Sequence, residues 1–533
     1  MTAFLATSPT SLPVHMRPRL IGALPLVYPI LTALQVRQIV NEVVPNQAEV
    51  DVGQLVVLLT LNRLLAQRPL SRVSEWLAET VLPDVLRVAP DQIYDTRLGR
   101  GLDRIAPQLG ELWTRLVCRA VQVYGLDLTV LHWDVTSLYF EGDYTASDLA
   151  RYGYSRDERP DTKQVNVEVD VTHDGAVPVH YQVLAGNTAD ITRPRSHLQT
   201  LLHFLARPEL AAYGFHPLLV SDGKMITPEA VVGCHRAQVF YLGPLADSTA
   251  TDAVLRSVSA EELAAQPLTY RPQRATRRED EFVPYQGVWR PFPFEFAGEQ
   301  VLDRVLVVWS AGKQRLDVQK RKRHLKRLLT ALADLQAKLN TRRHKQRAYV
   351  EPRLAAVQQG NPAKDWVDIT LTGTDGALTL TFCINRQRLA QAQAVDGRYA
   401  LATNAAHLDA AAALTFFKGQ DKVEKRFGTV KGPLRVHPLF VHTDRRIEAT
   451  VFLTLLALLV RAILEQLARQ VGLARTAEQL CRPLAALQAI DLDGADHRRL
   501  RQVADLTDAQ QHLLQVLGWT NLDAYVQLPP HPR

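Results

Sequence analysis

Cysteine is scarce in this chain. Its four cysteines, Cys118, Cys234, Cys383 and Cys481, lie far apart and form no C-x-x-C pair. That usage supports neither a zinc finger nor a disulfide framework, and it fits a reducing cytoplasm. Long apolar runs are also missing. The uncharged run at residues 451–460 stops at Arg461; ten residues cannot span a bilayer and suit a buried helix. No secretory signal is expected, because the first apolar stretch is late and broken by Pro25 and Pro29. A strong charge of one sign is absent as well: 62 Lys and Arg face 55 Asp and Glu, a net of +7. So small a surplus attracts a polyanion only where it is concentrated.

What is present is a globular balance, with 47% hydrophobic and 22% charged residues, which excludes a disordered chain. At roughly 100 to 200 residues per domain, 533 residues argue for several structural units and against one small module. From residue 20 to 125 the apolar positions recur at three- and four-residue steps, as in Val36, Ile39, Val40 and Val43, and prolines 45, 69 and 83 punctuate the pattern. A helical N-terminal domain, 1–125, is expected. Its 69–105 segment has room for a helix-turn-helix-like element, although helical spacing alone also fits helices with no DNA role.

At Leu126 the pattern changes. Residues 128–140 are β-branched and aromatic, and 165–171 and 176–184 read as two more strands joined by the turn His173-Asp174-Gly175. A helix at 193–205, a strand at 217–220, a helix opened by Thr227-Pro228-Glu229 and a strand at 238–242 follow. Three meandering strands, then helix, strand, helix, strand, is the order of an RNase-H-like α/β core with a mixed five-stranded sheet. The core is expected over 126–242 and again over 396–470, split by an insertion at 243–395, with a helical segment over 471–533. Within the insertion, residues 313–347 carry 13 Lys or Arg against two acids. Leu325, Leu328, Leu329, Leu332, Leu335 and Leu339 make a stripe on what should be one long amphipathic helix with a basic face.

Asp134 interrupts an apolar strand, sharing its side of the pleat with His132 and Thr136, and Asp222 ends a second strand of the same expected sheet. A lone strand aspartate is commonly a cap or a hydrogen-bonded structural residue; two on neighbouring strands point to a site. The third candidate is Glu424. On one continuous helix Phe417, Gln420, Glu424, Phe427 and Lys431 share a face, although a solvated pair of charges explains Glu424 and Lys431 equally well. Asp190, Asp174 and Glu141 are competing acids that turns or caps explain. Three converging carboxylates repel unless divalent cations lie between them. Hard oxygen ligands favour two Mg²⁺ ions, or Mn²⁺, and with them phosphodiester chemistry.

The spacing Phe417-(2)-Gln420-(3)-Glu424-(6)-Lys431 resembles the Y-(2)-R-(3)-E-(6)-K signature of bacterial insertion-sequence transposases of the DDE class, whose RNase-H-like core is split by a β-rich insertion. The first two letters are changed, so the arginine's phosphate contact falls to Gln420 as a neutral donor. Residues 69–76, 133–137, 153–155 with 159–161, 186–188, 396–399 and 403–404 resemble further blocks of the same class in order. The resemblance implies a metal-binding catalytic triad of Asp134, Asp222 and Glu424. It further implies cleavage at the terminal inverted repeats of double-stranded DNA, and joining of the freed 3′-hydroxyl ends to target DNA by at least a homodimer. Gln420, Lys431, Arg321, Arg323, Lys326 and Arg327 would contact DNA. Trp289 would either stack on a flipped base or pack inside the insertion. The rivals are an RNase-H-like nuclease that does not join ends and a non-catalytic DNA-binding protein derived from a transposase.

Overall fold

The computed structural model describes residues 13–145, 147–154, 159–188, 193–223, 225–270, 283–434, 441–494 and 499–528. Asp190 and Ser155 lie outside them, as does most of the arginine-rich stretch before Val283. The chain is a mixed α/β protein of two compact units: residues 1–220 with 419–533, and residues 221–418. Its strands in chain order begin with β1 (Pro13–Leu20), β2 (Val130–Tyr139), β3 (Gln164–Thr172), β4 (Pro178–Ala185) and β5 (Leu218–Ser221). β6 (Phe240–Pro244), β7 (Pro267–Tyr270), β8 (Val283–Phe296) and β9 (Glu299–Ser310) follow, then β10 (Val367–Thr372), β11 (Thr379–Ile384) and β12 (Arg398–Thr403). β13 (Gln488–Gly494) and β14 (Arg499–Val503) close the series.

The first unit is organised around helix Asp444–Gln470, capped by the Thr443 hydroxyl on the Arg446 amide. Its apolar residues continue around the whole circumference, which only a helix covered on every side can tolerate. By length and composition it could cross a membrane, but 94% of its most apolar window is buried within the protein. Helices Leu24–Ala33, Val52–Leu65 and Asp95–Ile105 pack against it. Arg446 clamps the last of them through a two-pronged ion pair with Asp103, at 2.9 and 2.7 Å. The helical N-terminal segment therefore shares a hydrophobic core with residues that follow it by more than three hundred positions. Its 69–105 stretch folds into short helices, Val73–Ala78, Leu82–Leu86 and Asp95–Ile105, with Val73, Leu77, Leu82 and Leu98 turned inward.

β2, β3 and β4 form the expected antiparallel meander, in the order β4-β3-β2-β5. Asp134 lies opposite Val169, and Trp133 opposite Asp170. The β3–β4 turn is where the sequence puts it: Gly175 adopts φ +81°, and the Thr172 amide donates to the Val177 carbonyl at 2.9 Å. β5 starts beside β2, with the Leu218 amide donating to the Thr129 carbonyl at 2.8 Å. β3 is buried on both faces. Val165, Val167, Val169 and Val171 make one; Gln164, Asn166, Glu168, Asp170 and Thr172 make a buried polar row on the other.

The C-terminal segment corrects the expectation of helices alone. β13 and β14 form a hairpin, and β1 pairs antiparallel with β13 to complete a three-stranded sheet. The short alternation around Ala489, Asp491 and Arg501 is balanced by buried charges rather than by apolar residues: Asp491 accepts from Arg501 and Arg19, and Arg501 also pairs with Asp84 at 2.7 Å.

The second unit has the strand order β6-β12-β9-β8-β7. β6, expected as the fifth core strand, clusters here and pairs antiparallel with β12. The basic helix is shorter than the periodicity suggests. It spans Ala311–Lys338, and a 3-10 turn, Arg342–Lys345, and a second helix, Arg347–Gln358, follow it. Its leucine stripe does what such a stripe should. Leu328, Leu332 and Leu335 are buried against Val350, Val367, Leu378 and Leu380, which brings the β10–β11 hairpin onto the helix.

Candidate active site

Asp134 is half-buried in the middle of β2, on the face opposite the buried polar row. One of its carboxylate oxygens accepts the Val135 amide at 2.7 Å, which orients the side chain by its own strand.

Glu424 lies one turn into helix Asp421–Lys431. The single helix expected over 409–431 is broken here. Helix Ala410–Lys418 ends in the second unit, and Gly419 and Gln420 start the first unit's share of the chain. Phe417 thus leaves the shared face; its ring contacts Tyr399 at 6.0 Å. Gln420, Glu424 and Lys431 stay on the Glu424 helix, with Lys431 half-buried in its last turn.

Three side chains fix that helix to the meander. Gln420 is buried, and its amide nitrogen donates to the Trp133 carbonyl at 2.7 Å while its amide oxygen faces His132 Nδ1 at 3.2 Å. Lys422 donates to the His173 carbonyl at 2.5 Å. Arg426, also buried, donates to the Ala176 carbonyl at 2.9 Å and the Gly175 carbonyl at 2.6 Å, and pairs with Glu465 of the core helix at 2.7 Å. The first contact sits one residue from Asp134 and one helical turn from Glu424. Both acids therefore belong to one strand–helix crossing. Glu424 is exposed, and among the described residues its carboxylate has no ion pair or hydrogen bond; its neighbour Asp421 is taken by Lys425.

The electrostatics behind the crossing favour neutral groups. Burial, with His173 and Lys422 adding to it, pushes the His132 imidazole down to about 3. Burial and then Lys422 push His173 down to about 4. A neutral His132 donates from Nδ1 to Gln420 and accepts on Nε2 from His173 Nδ1 at 2.9 Å, so one set of tautomers satisfies the whole chain of bonds. Burial pushes the Lys422 ammonium down to about 8, against the pull of Asp174 and Asp421.

Asp222 is half-buried and follows β5 directly, as the second residue of the other unit. Its carbonyl accepts the Ser221 hydroxyl at 3.0 Å. Of the competing acids, Asp174 occupies the β3–β4 turn and Glu141 is exposed just beyond β2.

The residues expected on DNA divide into two kinds. Arg323, Lys326 and Arg327 are exposed on the basic helix. Arg321 is buried on its other side, with both guanidinium nitrogens on the Asp396 carboxylate. Trp289 is half-buried under the Arg304 guanidinium, 4.1 Å from the ring centre, an arrangement that matches the packing alternative. Gln420 spends both ends of its amide inside the protein. Sequence reasoning does not find Arg426 and His132. Arg426 looks like one more charge on a solvated helix, and only its buried partners, contributed by segments far away in sequence, give it a role.

A family profile described as "Domain of unknown function (DUF4277)" matches residues 17–117, well under half of the chain. No curated protein matches. Among solved structures, the chain is similar to the piggyBac transposase in a synaptic complex with hairpin DNA, at 8% identity and a TM-score of 0.38, covering 88% of this chain and 82% of that one.

Proposed function

We propose that this chain is a DNA transposase of the DDE class with an RNase-H-like core, in which Asp134, Asp222 and Glu424 hold two Mg²⁺ ions. The observation that carries the reading is the bond between Gln420 and the Trp133 carbonyl, which draws a solvent-open glutamate to the strand of an aspartate that is only half-buried. The donor set fits the ions. All three groups are carboxylates, the hard oxygen ligands Mg²⁺ prefers, and among the described residues Glu424 is not committed to a lysine or arginine. When bound, a pair of such ions supplies an activated oxygen nucleophile and charge stabilisation at the phosphorus. The chain's own residues do the rest: Gln420 and Arg426 hold the glutamate at a fixed height over β2, and the Val135 amide orients Asp134. Arg323, Lys326 and Arg327 grip DNA phosphates without reading sequence, and the N-terminal helices recognise the inverted repeat. Joining two ends to one target requires at least a dimer on the DNA.

The test uses the inverted repeats that flank the gene, as labelled duplexes with intact or pre-cleaved ends. Mg²⁺-dependent nicking at the repeat boundary and transfer of the pre-cleaved 3′ end into a plasmid are expected. Both should vanish in Asp134→Asn, Asp222→Asn and Glu424→Gln while end binding persists. Shorter fragments without joined product would establish a nuclease, and binding without any nicking would establish a DNA-binding protein.

A further inference from the structure

On the far side of β2 from Glu424, the polar row of β3 ends in a cluster of ionisable groups with no exposure to speak of. Asp170 and Glu168 come from β3, His180 from β4 and His197 from helix Arg193–Leu205. His180 Nδ1 is hydrogen-bonded to one Asp170 oxygen at 2.8 Å, and His197 Nε2 lies 3.1 Å from the other. The second distance is short, yet neither His197 Nε2 nor that Asp170 oxygen makes a hydrogen bond, because the approach is off-axis. Among the described residues both Glu168 oxygens are also unbonded in the interior, one of them 3.5 Å from His197 Nδ1. Orphaned lone pairs on buried carboxylates are costly, because burial removes the water that would otherwise solvate the charge. Atoms that crowd together without facing one another, as those of His197 do with Asp170 and Glu168, have the geometry of ligands aimed at a common point. Ligand atoms of Asp170, His180 and His197 all fall within 4.8 Å of one another. Donors arranged tetrahedrally at 2.0–2.1 Å from an ion stand about 3.3 Å apart, so these three groups need only small shifts to share one ion.

We propose that Asp170, His180 and His197 bind a divalent transition-metal cation of the zinc type, with Glu168 as the carboxylate that orients His197. The donor set, two imidazole nitrogens and one carboxylate oxygen, is one that zinc favours. Glu168 behind the distal ring nitrogen is the outer partner that metal-bound histidines usually carry. The charges balance: a dication neutralises the two buried carboxylates while both imidazoles stay neutral. Access is available from the His180 side, where that residue lines a cavity of about 620 Å³ between helix Leu109–Tyr124 and helix Arg193–Leu205. The ion would tie that helix to β3 and β4 directly behind Trp133, whose ring lies 4.8 Å from the His197 ring. The site is structural, contains no cysteine, and is independent of the proposed reaction with DNA.

The experiment measures metal content of the full-length chain purified without chelator from zinc-supplemented cells, with melting temperature before and after chelation. About one zinc per chain is expected, with a fall in Tm on chelation that added zinc reverses. His197→Gln and Asp170→Asn should lose the metal, Glu168→Gln should weaken it by about 10- to 100-fold, and Asp134→Asn and Glu424→Gln should keep it. Replacement by Co²⁺ should give visible bands of a low-coordinate site, lost in His180→Gln at the cavity rim. If buried variants fail to fold, the wild-type stoichiometry and its zinc-dependent Tm still decide. A folded wild-type chain with no stoichiometric metal and no Tm response to zinc would overturn the proposal. So would zinc that persists in His197→Gln. In either case the cluster is an ion pair, with the proton held on His197 by Asp170 and Glu168.

Discussion

Replacing Gln420 by alanine tests whether the link between the two acids is built as described. The substitution removes a 2.7 Å donor to the Trp133 carbonyl and a 3.2 Å acceptor for the His132 ring, both inside the protein. Each orphaned group costs about 1–3 kcal/mol, because water cannot reach it. The helix loses no capping side-chain bond, since Gln420 provides none. The sum is a destabilisation of about 2–6 kcal/mol, read as a fall in the urea midpoint of the transition that unfolds the first unit. The functional cost should be larger than the stability cost suggests, since a misplacement of about 1 Å can cost about 100-fold in rate. Under conditions where Gln420→Ala is fully folded, its Mg²⁺-dependent nicking should fall at least tenfold with end binding unchanged. Asp421→Ala, one residue on and exposed, is the control: it loses only a surface pair with Lys425, worth no more than about 1 kcal/mol. If Gln420→Ala is as stable and as active as this control, the strand–helix bond is not what positions Glu424, and the central argument for the site fails.

Three other outcomes follow from the same coordinates. The Asp491 carboxyl is pushed up by burial but held below its ordinary range by Arg501 and Arg19. It therefore binds fewer protons folded than unfolded, and its stabilisation should be present at neutral pH and vanish as pH drops below the unfolded value of about 3.9. Asp491→Asn should cost about 2 kcal/mol at pH 7, and its urea midpoint should converge with wild type in acid. Changing Arg323, Lys326 and Arg327 together to alanine should flatten the salt dependence of DNA binding by up to about three phosphate contacts, about 0.9 in slope for each, without altering Tm; Arg321→Ala should instead lower Tm, because Asp396 is left buried and alone. Leu332→Ala, at a fully buried position, should destabilise the basic helix and its β-hairpin by about 2–5 kcal/mol in thermal unfolding.

Much of the framework is legible locally. The β3–β4 turn is written in His173-Asp174-Gly175, the helix at Pro228 in its Thr227 cap, and the fold of the insertion helix against its hairpin in the leucine stripe. Asp134 and Asp222 stand out as acids in an apolar strand and at a strand end, and Glu424 by its spacing from Gln420 and Lys431. What is not legible depends on partners remote in sequence. Gly419 breaks a helix whose periodicity runs straight through it. The alternation of β3 would ordinarily mark a half-exposed strand, yet Glu168 and Asp170 are buried because His180 and His197 arrive from other elements. Arg501 and Asp491 turn a polar tail into two strands for the same reason. Charge compensation over long separations leaves no periodic trace.

Because helix Val52–Leu65 packs against helix Asp444–Gln470 as well as against the earlier helices Val36–Val43 and Asp95–Ile105, the protein cannot complete its first unit while it is being made. A ribosome adding roughly 5 to 20 residues per second leaves the earlier helix waiting about 20 to 80 s for the later one, with the face that the later helix covers open in the meantime. The newborn chain is thus a natural client for holding chaperones. A gene cut short anywhere upstream of residue 444 would leave the N-terminal helices without the helix that completes their core.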